Sequence, residues 1–346
     1  MLVLFTALLA ALLTRVQIRL NSWLRLTAVP RKDRWHVTPT PSSGGLAIFL
    51  SCAAVYWAVC PGRYPAIALG VAAMWVLGFI DDRRRLEAKD KFVVQGLAAA
   101  FVVLGGVNLP VTHYHLLNVA LNIFFIVFIT NACNLIDNMD GLCAGVVIII
   151  CTFRFFLLSA QGYHVDANLY AILAAAFAGF LFSNHHPARI FMGDCGSLPA
   201  GFALATLILI DPVSHKASPL VAFVSPALAF AYPLFDTTFV SILRKLAGRP
   251  ISQGGRDHSS HRLASLGLDP TQVVWILWLL TAFGASVADL TYLIPGVMFP
   301  GTAMLLGMVL MLGISLARLP GYPLPEWARG WVTERSRKRM SAAAGD

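Results

Sequence analysis

Apolar runs of about 17–25 residues recur along the whole chain, and each is long enough to cross a bilayer as a helix. Lipid offers no partner to a backbone N–H or C=O, so repeated runs of this length confine the fold to packed helices. Eleven candidates are read, over 1–14, 44–60, 64–80, 91–107, 116–136, 141–160, 166–184, 196–211, 218–240, 272–289 and 292–317. The 346 residues are 58% hydrophobic and 12% charged, against about 25% charged in soluble domains. The expected fold is therefore an all-α, polytopic integral membrane protein. It comprises one transmembrane domain over 1–318 and a basic tail over 319–346. The first run is short enough to resemble a signal peptide, but no Lys or Arg precedes it, and Arg15 and Arg19 follow it. It is read as a retained helix.

Basic residues set the orientation. Arg25, Arg31, Lys32 and Arg34 lie on one side with the Arg83–Lys91 loop, Arg189, the 241–271 loop and the tail residues Arg335, Arg337, Lys338 and Arg339. The other side keeps Arg63 and Lys216. Positive loops stay cytoplasmic, which puts the N-terminus outside and the C-terminus inside. The net charge of +9 is then a product of this bias, with an attraction to anionic lipid headgroups, and calls for no nucleic-acid partner. The six cysteines show no paired metal spacing and read as small apolar residues.

Acidic residues at the hydrocarbon edge are costly, and three breaks between runs carry them. In the first, Gly78-Phe79-Ile80-Asp81-Asp82, two adjacent carboxylates call for a metal, a cation or a raised pKa. Arg83, Arg84, Arg85, Lys89 and Lys91 stand close by, so a solvated helix end with local ion pairs is the plain alternative. In the second, Asn131, Asn134 and Asn138 fall at i, i+3 and i+7, one face of a helix, with Asp137 beside them and Asp140-Gly141 closing the turn. Such a stripe could bond a neighbouring helix; amide and carboxylate oxygens also suit Mg²⁺. In the third, Asn184-His185-His186-Pro187 leads to Phe191-Met192-Gly193-Asp194 and Gly196-Ser197, where glycines allow backbone to approach a phosphate or metal. Phe191 either packs or stacks on a base. His185 and His186 are neighbours and share no face, which argues against a metal pair.

The 241–271 loop holds Arg244, Lys245, Arg249, Arg256, Asp257, His258, His261 and Arg262. No further ligands complete a zinc set around His258 and His261, and the arginines suit anion recognition, or simply the positive-inside bias. Asp236 lies near enough to join the acidic cluster, and Asp289 lies at the opposite face. Arg154, inside the sixth run, is expected to snorkel to the outer interface.

These segments together resemble the polyprenyl-phosphate N-acetylhexosamine-1-phosphate transferase superfamily. The resemblance runs in order through Arg31–His36 with Pro41, Gly44 and Gly45; Gly78–Asp82 with Leu86, Lys91 and Gln95; Asn131–Gly145; Asn184 with Pro187–Leu198; and Asp257–Leu263. Two positions depart from the pattern. Asn138 stands where glycine is usual, and Ser260 replaces the middle histidine of a His-x-His-His run. The His-rich run of the peptidoglycan translocases is absent, which argues against a muramyl-pentapeptide donor.

The resemblance implies Mg²⁺-dependent transfer of a sugar-1-phosphate from a UDP-sugar, first of all UDP-GlcNAc, to undecaprenyl phosphate. UMP is released at the cytoplasmic face of the plasma membrane, and envelope polysaccharide synthesis begins. Mn²⁺ is the expected substitute metal and a homodimer the assembly considered. It also implies that Asn134 and Asp194 ligate the metal, that Lys91 holds phosphate, and that Asp81 or Asp82 deprotonates or orients the lipid phosphate. Phe191 would stack on uracil beside Asn184, with Asp137 and Asp140 supporting the nucleotide and Arg256, His258 and His261 facing the sugar or diphosphate. The rival reading, a proton- or sodium-coupled transporter, expects acids near the midplane of repeated halves. A scaffold leaves the acid–amide clusters without a purpose.

Overall fold

The computed structural model describes residues 1–24, 27–28, 40–251, 255 and 257–319. The expected basic segment over 31–36, Arg256 and the tail residues 335–339 lie outside the described residues. The helices are α1 (Leu2–Leu24), α2 (Gly45–Val59), α3 (Pro65–Arg84), α4 (Ala88–Leu104), α5 (His115–Leu135), α6 (Leu142–Ala160) and α7 (His164–Asn184). They continue with α8 (Asp194–Ile210), α9 (Pro212–Lys216), α10 (Pro219–Ala229), α11 (Ala231–Leu246), α12 (Ser259–Ala264), α13 (Pro270–Leu293) and α14 (Met298–Ala317). Two-residue strands β1 (Thr27–Ala28) and β2 (Thr40–Pro41) pair antiparallel.

Local chemistry explains the helix ends. Helix α3 starts with Pro65, whose missing N–H costs nothing in a first turn, and ends with Arg83 and Arg84 against the negative end of the helix dipole. Asp269 and Gln272 form a capping box at the start of α13. Pro233 has no N–H for the carbonyl of Ala229, and there the ninth apolar run breaks into α10 and α11, bent by 74°.

Every apolar run read from the sequence is largely helical, the ninth as two helices, but not every helix has full spanning length. Among the described residues eight are long and apolar enough to cross a membrane, or nine with the bent α10–α11 pair counted once. Helices α2 and α4, with 15 and 17 residues, reach about 22 and 26 Å, short of a hydrocarbon core of about 30 Å.

Helix α8 is buried along almost its whole length, between α3 and α5; α7 packs on α6 and α1. The α3–α8 contact is backbone to backbone at Gly78, where a Cβ would overlap Asp194 and Cys195. That approach carries the first acidic motif onto the third.

Arg154 does not snorkel. It is 1% exposed and sits between Asp211 (3.5 Å) and Asp289 (3.4 Å), with its guanidinium over the Tyr292 ring. Its side of α6 faces the interior, so two carboxylates from other helices replace the water it was expected to reach.

Candidate active site

Helix termini bring the three acidic breaks together at one end of the bundle. The C-terminal turn of α3 presents Asp81 and Asp82, the first turn of α4 presents Lys91, and α8 opens with Asp194. Lys91 Nζ donates to Asp81 Oδ2 at 2.9 Å and to Asp194 Oδ2 at 3.1 Å. The Asp81 and Asp194 carboxylates are also in hydrogen-bond contact with each other. The side chains of Lys91 and Asp194 keep 22% and 26% exposure, so this cluster is open to a substrate.

Asp82 is placed differently. Its two oxygens accept the backbone N–H groups of Asp194 (2.9 Å) and Cys195 (3.1 Å), the orphan donors of the first turn of α8. Gly193 precedes that turn with φ +73°, and a Cβ there would meet Ser42 O and the Asp82 carboxylate. Phe191 and Met192 lie along the 41–45 segment: Phe191 N–H donates to Pro41 O at 2.7 Å, and the N–H groups of Gly44 and Gly45 donate to Phe191 O and Met192 O. The Phe191 side chain is half-buried.

The asparagine stripe does not remain on one helix. Helix α5 ends at Leu135, so Asn131 faces Gln95 of α4, Asn134 donates to Ser197 Oγ of α8 at 2.9 Å, and Asn138 lies in the following turn. Ser197 is one turn beyond Asp194, which places Asn134 beside the same face of α8. In that turn Asp140 Oδ2 meets His186 Nδ1 (2.8 Å) and accepts the Ala188 N–H (3.1 Å). Asp137 is half-buried beside them. The buried Asn184 accepts the Gly141 N–H and donates to Ile190 O, so both ends of its amide hold backbone. His186 thus pairs with a carboxylate, and no metal pair with His185 forms.

The last piece comes from α11 and α12. Asp236, fully buried, accepts from the Ser259 N–H at 2.7 Å and meets His258 Nδ1 at 2.7 Å. With Nδ1 held by a carboxylate, His258 presents Nε2 as its second ring nitrogen. His261 lies one turn along α12. Arg244 and Arg262 do not face an anion site. Arg244 makes a two-pronged pair with Asp257 (2.7 and 2.8 Å) and donates to Ile251 O, while Arg262 donates to Asp257 O, Leu316 O and Leu319 O. Both are buried and spent on holding the loop. Burial opposes ionisation of Asp257, but the Arg244 guanidinium outweighs it and holds the carboxyl below the usual carboxylate range.

The cluster suits a divalent cation by its donor set. Three carboxylates, Asp81, Asp82 and Asp194, meet one ammonium, that of Lys91, so acid is in excess even with a proton shared between Asp81 and Asp194. Among the described residues no three His, Cys, Asp or Glu side chains close on one point. Mg²⁺, however, is characteristically held by one or two carboxylates with substrate phosphates completing its shell. Asp194, with the Asn134 amide beside it, is such an open set. Elsewhere in the bundle, α10, α11 and α14 enclose an apolar groove of about 650 Å³, lined by Phe235, Phe239, Leu310 and Arg318 among others.

Sequence comparisons reach the same segments. The glycosyl transferase family 4 profile matches residues 64–211. Over 264 residues the chain is 36% identical to the probable undecaprenyl-phosphate N-acetylglucosaminyl 1-phosphate transferase of Bacillus subtilis, covering 72% of this chain and 73% of that protein. It is 35% identical over 309 residues to a decaprenyl-phosphate N-acetylglucosaminephosphotransferase of Mycobacterium tuberculosis, covering 77% and 76%. A phospho-N-acetylmuramoyl-pentapeptide-transferase of Heliobacterium modesticaldum is 33% identical over 271 residues, covering 70% and 82%.

Proposed function

The chain belongs to glycosyl transferase family 4, and on that premise we propose that it transfers N-acetylglucosamine-1-phosphate from UDP-GlcNAc to undecaprenyl phosphate. The observation that carries the chemistry is Lys91 held between Asp81 and Asp194 at an open end of the bundle. A diphosphate donor and a phosphate acceptor both bring negative charge, and a positioned ammonium beside a cation-binding carboxylate is what their approach requires.

An oxygen of the lipid phosphate forms a bond to the sugar-bearing phosphorus, the bond between the two donor phosphates breaks, and UMP leaves with that electron pair. Lys91 neutralises the phosphates as they meet. Asp81 fixes the Lys91 ammonium and orients the acceptor. Asp82 is a positioning residue, because both its oxygens hold the start of α8. Asp194 and Asn134 would hold Mg²⁺, or Mn²⁺ in its place. The ion supplies charge neutralisation at the diphosphate. Phe191 offers a ring for uracil, and Asn184 keeps the Gly141 turn in place beside it. Asp137 and Asp140 support the nucleotide, and His258 and His261 face the sugar and diphosphate, with Arg256 assigned there from the sequence alone.

The groove between α10, α11 and α14 suits the polyprenyl chain, since its lining is almost wholly apolar and includes Arg318. A site at the ends of helices lets a water-soluble donor meet a lipid acceptor. In the proposed topology α2 and α4 also cross, giving eleven passes through the plasma membrane, with the N-terminus outside and the site and the C-terminus cytoplasmic. Residues 1–318 then form one catalytic domain, and envelope polysaccharide synthesis is the expected use. A homodimer is the proposed assembly. Transport is not favoured, since the relatives are named as transferases and the acids gather at one end of the bundle.

The test is to incubate purified protein, undecaprenyl phosphate and Mg²⁺ with a panel of UDP-sugars, measuring UMP release and lipid-linked product. UDP-GlcNAc should be the preferred donor. Turnover with no UDP-sugar would overturn the transferase assignment, and preference for UDP-MurNAc-pentapeptide would overturn the donor. Cysteine-accessibility labelling decides topology: a residue in 257–262 reacting from the outside alone would refute a cytoplasmic site.

A further inference from the structure

The two positions where the sequence departs from the motifs it resembles, Asn138 and Ser260, touch in the fold. Ser260 Oγ donates to Asn138 Oδ1 at 2.6 Å, across 122 positions of chain. Asn138 Nδ2 donates to Leu135 O at 2.8 Å, so its amide is held by the end of α5 on one side and by α12 on the other. Ser260 is fully buried, and its hydroxyl would have no water to turn to without this acceptor. A glycine at 138 could not supply the acceptor. The two departures are therefore complementary: each residue provides what the other needs.

Their neighbours decide what the contact does. Asn138 lies between Asp137 and Asp140 in the turn before α6, and Ser260 lies between His258 and His261 on α12. Helix α12 has six residues, too few to hold a conformation through its own hydrogen bonds. Asp236 ties its start to α11 through His258 and Ser259. Asn138 ties it to the turn.

We propose that the Asn138–Ser260 hydrogen bond is a positioning clasp for the donor half of the site, fixing His258 and His261 against the Asp137–Asp140 turn and so setting the affinity for the nucleotide-sugar donor. The inference rests on the transferase reading given above. Neither residue touches substrate; each acts through the groups beside it. The acceptor is served by other parts, Asp81, Lys91 and the apolar groove, so loss of the clasp is felt by one substrate and not by the other.

A double-mutant cycle on the full-length protein tests this, with Asn138→Ala, Ser260→Ala and the double variant. UDP-GlcNAc is varied at saturating undecaprenyl phosphate, and then the reverse. Each single variant should raise the donor KM about tenfold, the effect of losing one well-placed hydrogen bond. The acceptor KM should stay within about twofold of wild type. The double variant should be no worse than the worse single one, because one contact is lost once. Asn138 is half-buried, so its alanine variant keeps the test open if the Ser260 variant does not fold; a tenfold donor-only effect from it alone supports the clasp. Additive effects, an equal rise in both KM values, or an unchanged donor KM would overturn the clasp while wild-type turnover upheld the transferase reading. Absence of wild-type turnover with any UDP-sugar would overturn both.

Discussion

Asp82 and Asp194, 112 positions apart, are joined by a hydrogen bond from the Asp194 backbone N–H to Asp82 Oδ1 at 2.9 Å. With the second bond to the Cys195 N–H, one helix supplies the N-terminal cap of another, and a negative charge sits at the positive end of the α8 dipole. The adjacent carboxylates thereby take different duties. Asp82 holds the helix that carries Asp194, and Asp81 meets Lys91.

Asp82→Ala should cost roughly 3 kcal/mol of stability, since two buried N–H donors lose a charged acceptor. Asp82→Asn should cost less, because one amide oxygen remains to accept. Thermal unfolding in detergent measures both, and equal melting temperatures for the two variants and wild type would show that the cap contributes nothing.

The metal assignment is exposed to a simple removal. Excess chelator should abolish turnover, and Mg²⁺ or Mn²⁺ should restore it. Asp194→Asn deletes a ligand charge with little change of volume, and should lower turnover by at least about 100-fold while the protein stays folded. Full activity of that variant, or of wild type in chelator, would refute the assignment.

Arg154 lies far from the site, at the other end of α6, and is paired with Asp211 and Asp289. Arg154→Ala leaves two buried carboxylates without their cation and should destabilise the protein by roughly 3–5 kcal/mol. Replacing Arg154, Asp211 and Asp289 together by Met, Asn and Asn should recover much of that loss, because no unpaired charge remains. Melting temperatures of the two variants decide it; equal losses would exclude the ion-pair account.

The Asp257–Arg244 pair gives a pH dependence of known sign. The folded carboxyl lies below its unfolded value of about 3.9, so its contribution is fully present above that pH and is lost as pH falls through the folded value. The gap in melting temperature between wild type and Asp257→Asn should therefore narrow as pH is lowered below about 4. A gap that stays constant through that range would show that the pair does not couple to folding.

Sequence alone marked out the long apolar segments, because transfer of side chains into hydrocarbon is a local sum over each apolar run. It therefore located the helices, and it placed Asp81, Asp82, Asp137, Asp140 and Asp194 at their ends. The resemblance of the motifs to a transferase family was also readable there, and the relatives bear it out. Partnership was not legible, because it depends on which helix ends meet. Nothing local to Asp81-Asp82 shows that one carboxylate caps α8 while the other faces Lys91; that follows from the backbone approach at Gly78. The 3.6-residue period put Asn138 on a helix that stops at Leu135, and its partner Ser260 lies 122 positions further on. Asp236 carried no signal beyond its proximity, and only the bend at α10–α11 and the placement of α12 join it to His258. Arg154, Arg244 and Arg262 read as exposed cations because local sequence cannot show the acids and carbonyls that packing brings to them. Solvation is additive along a chain, so sequence carries it; hydrogen-bond and charge pairing is a property of two places at once, and tertiary structure decided it.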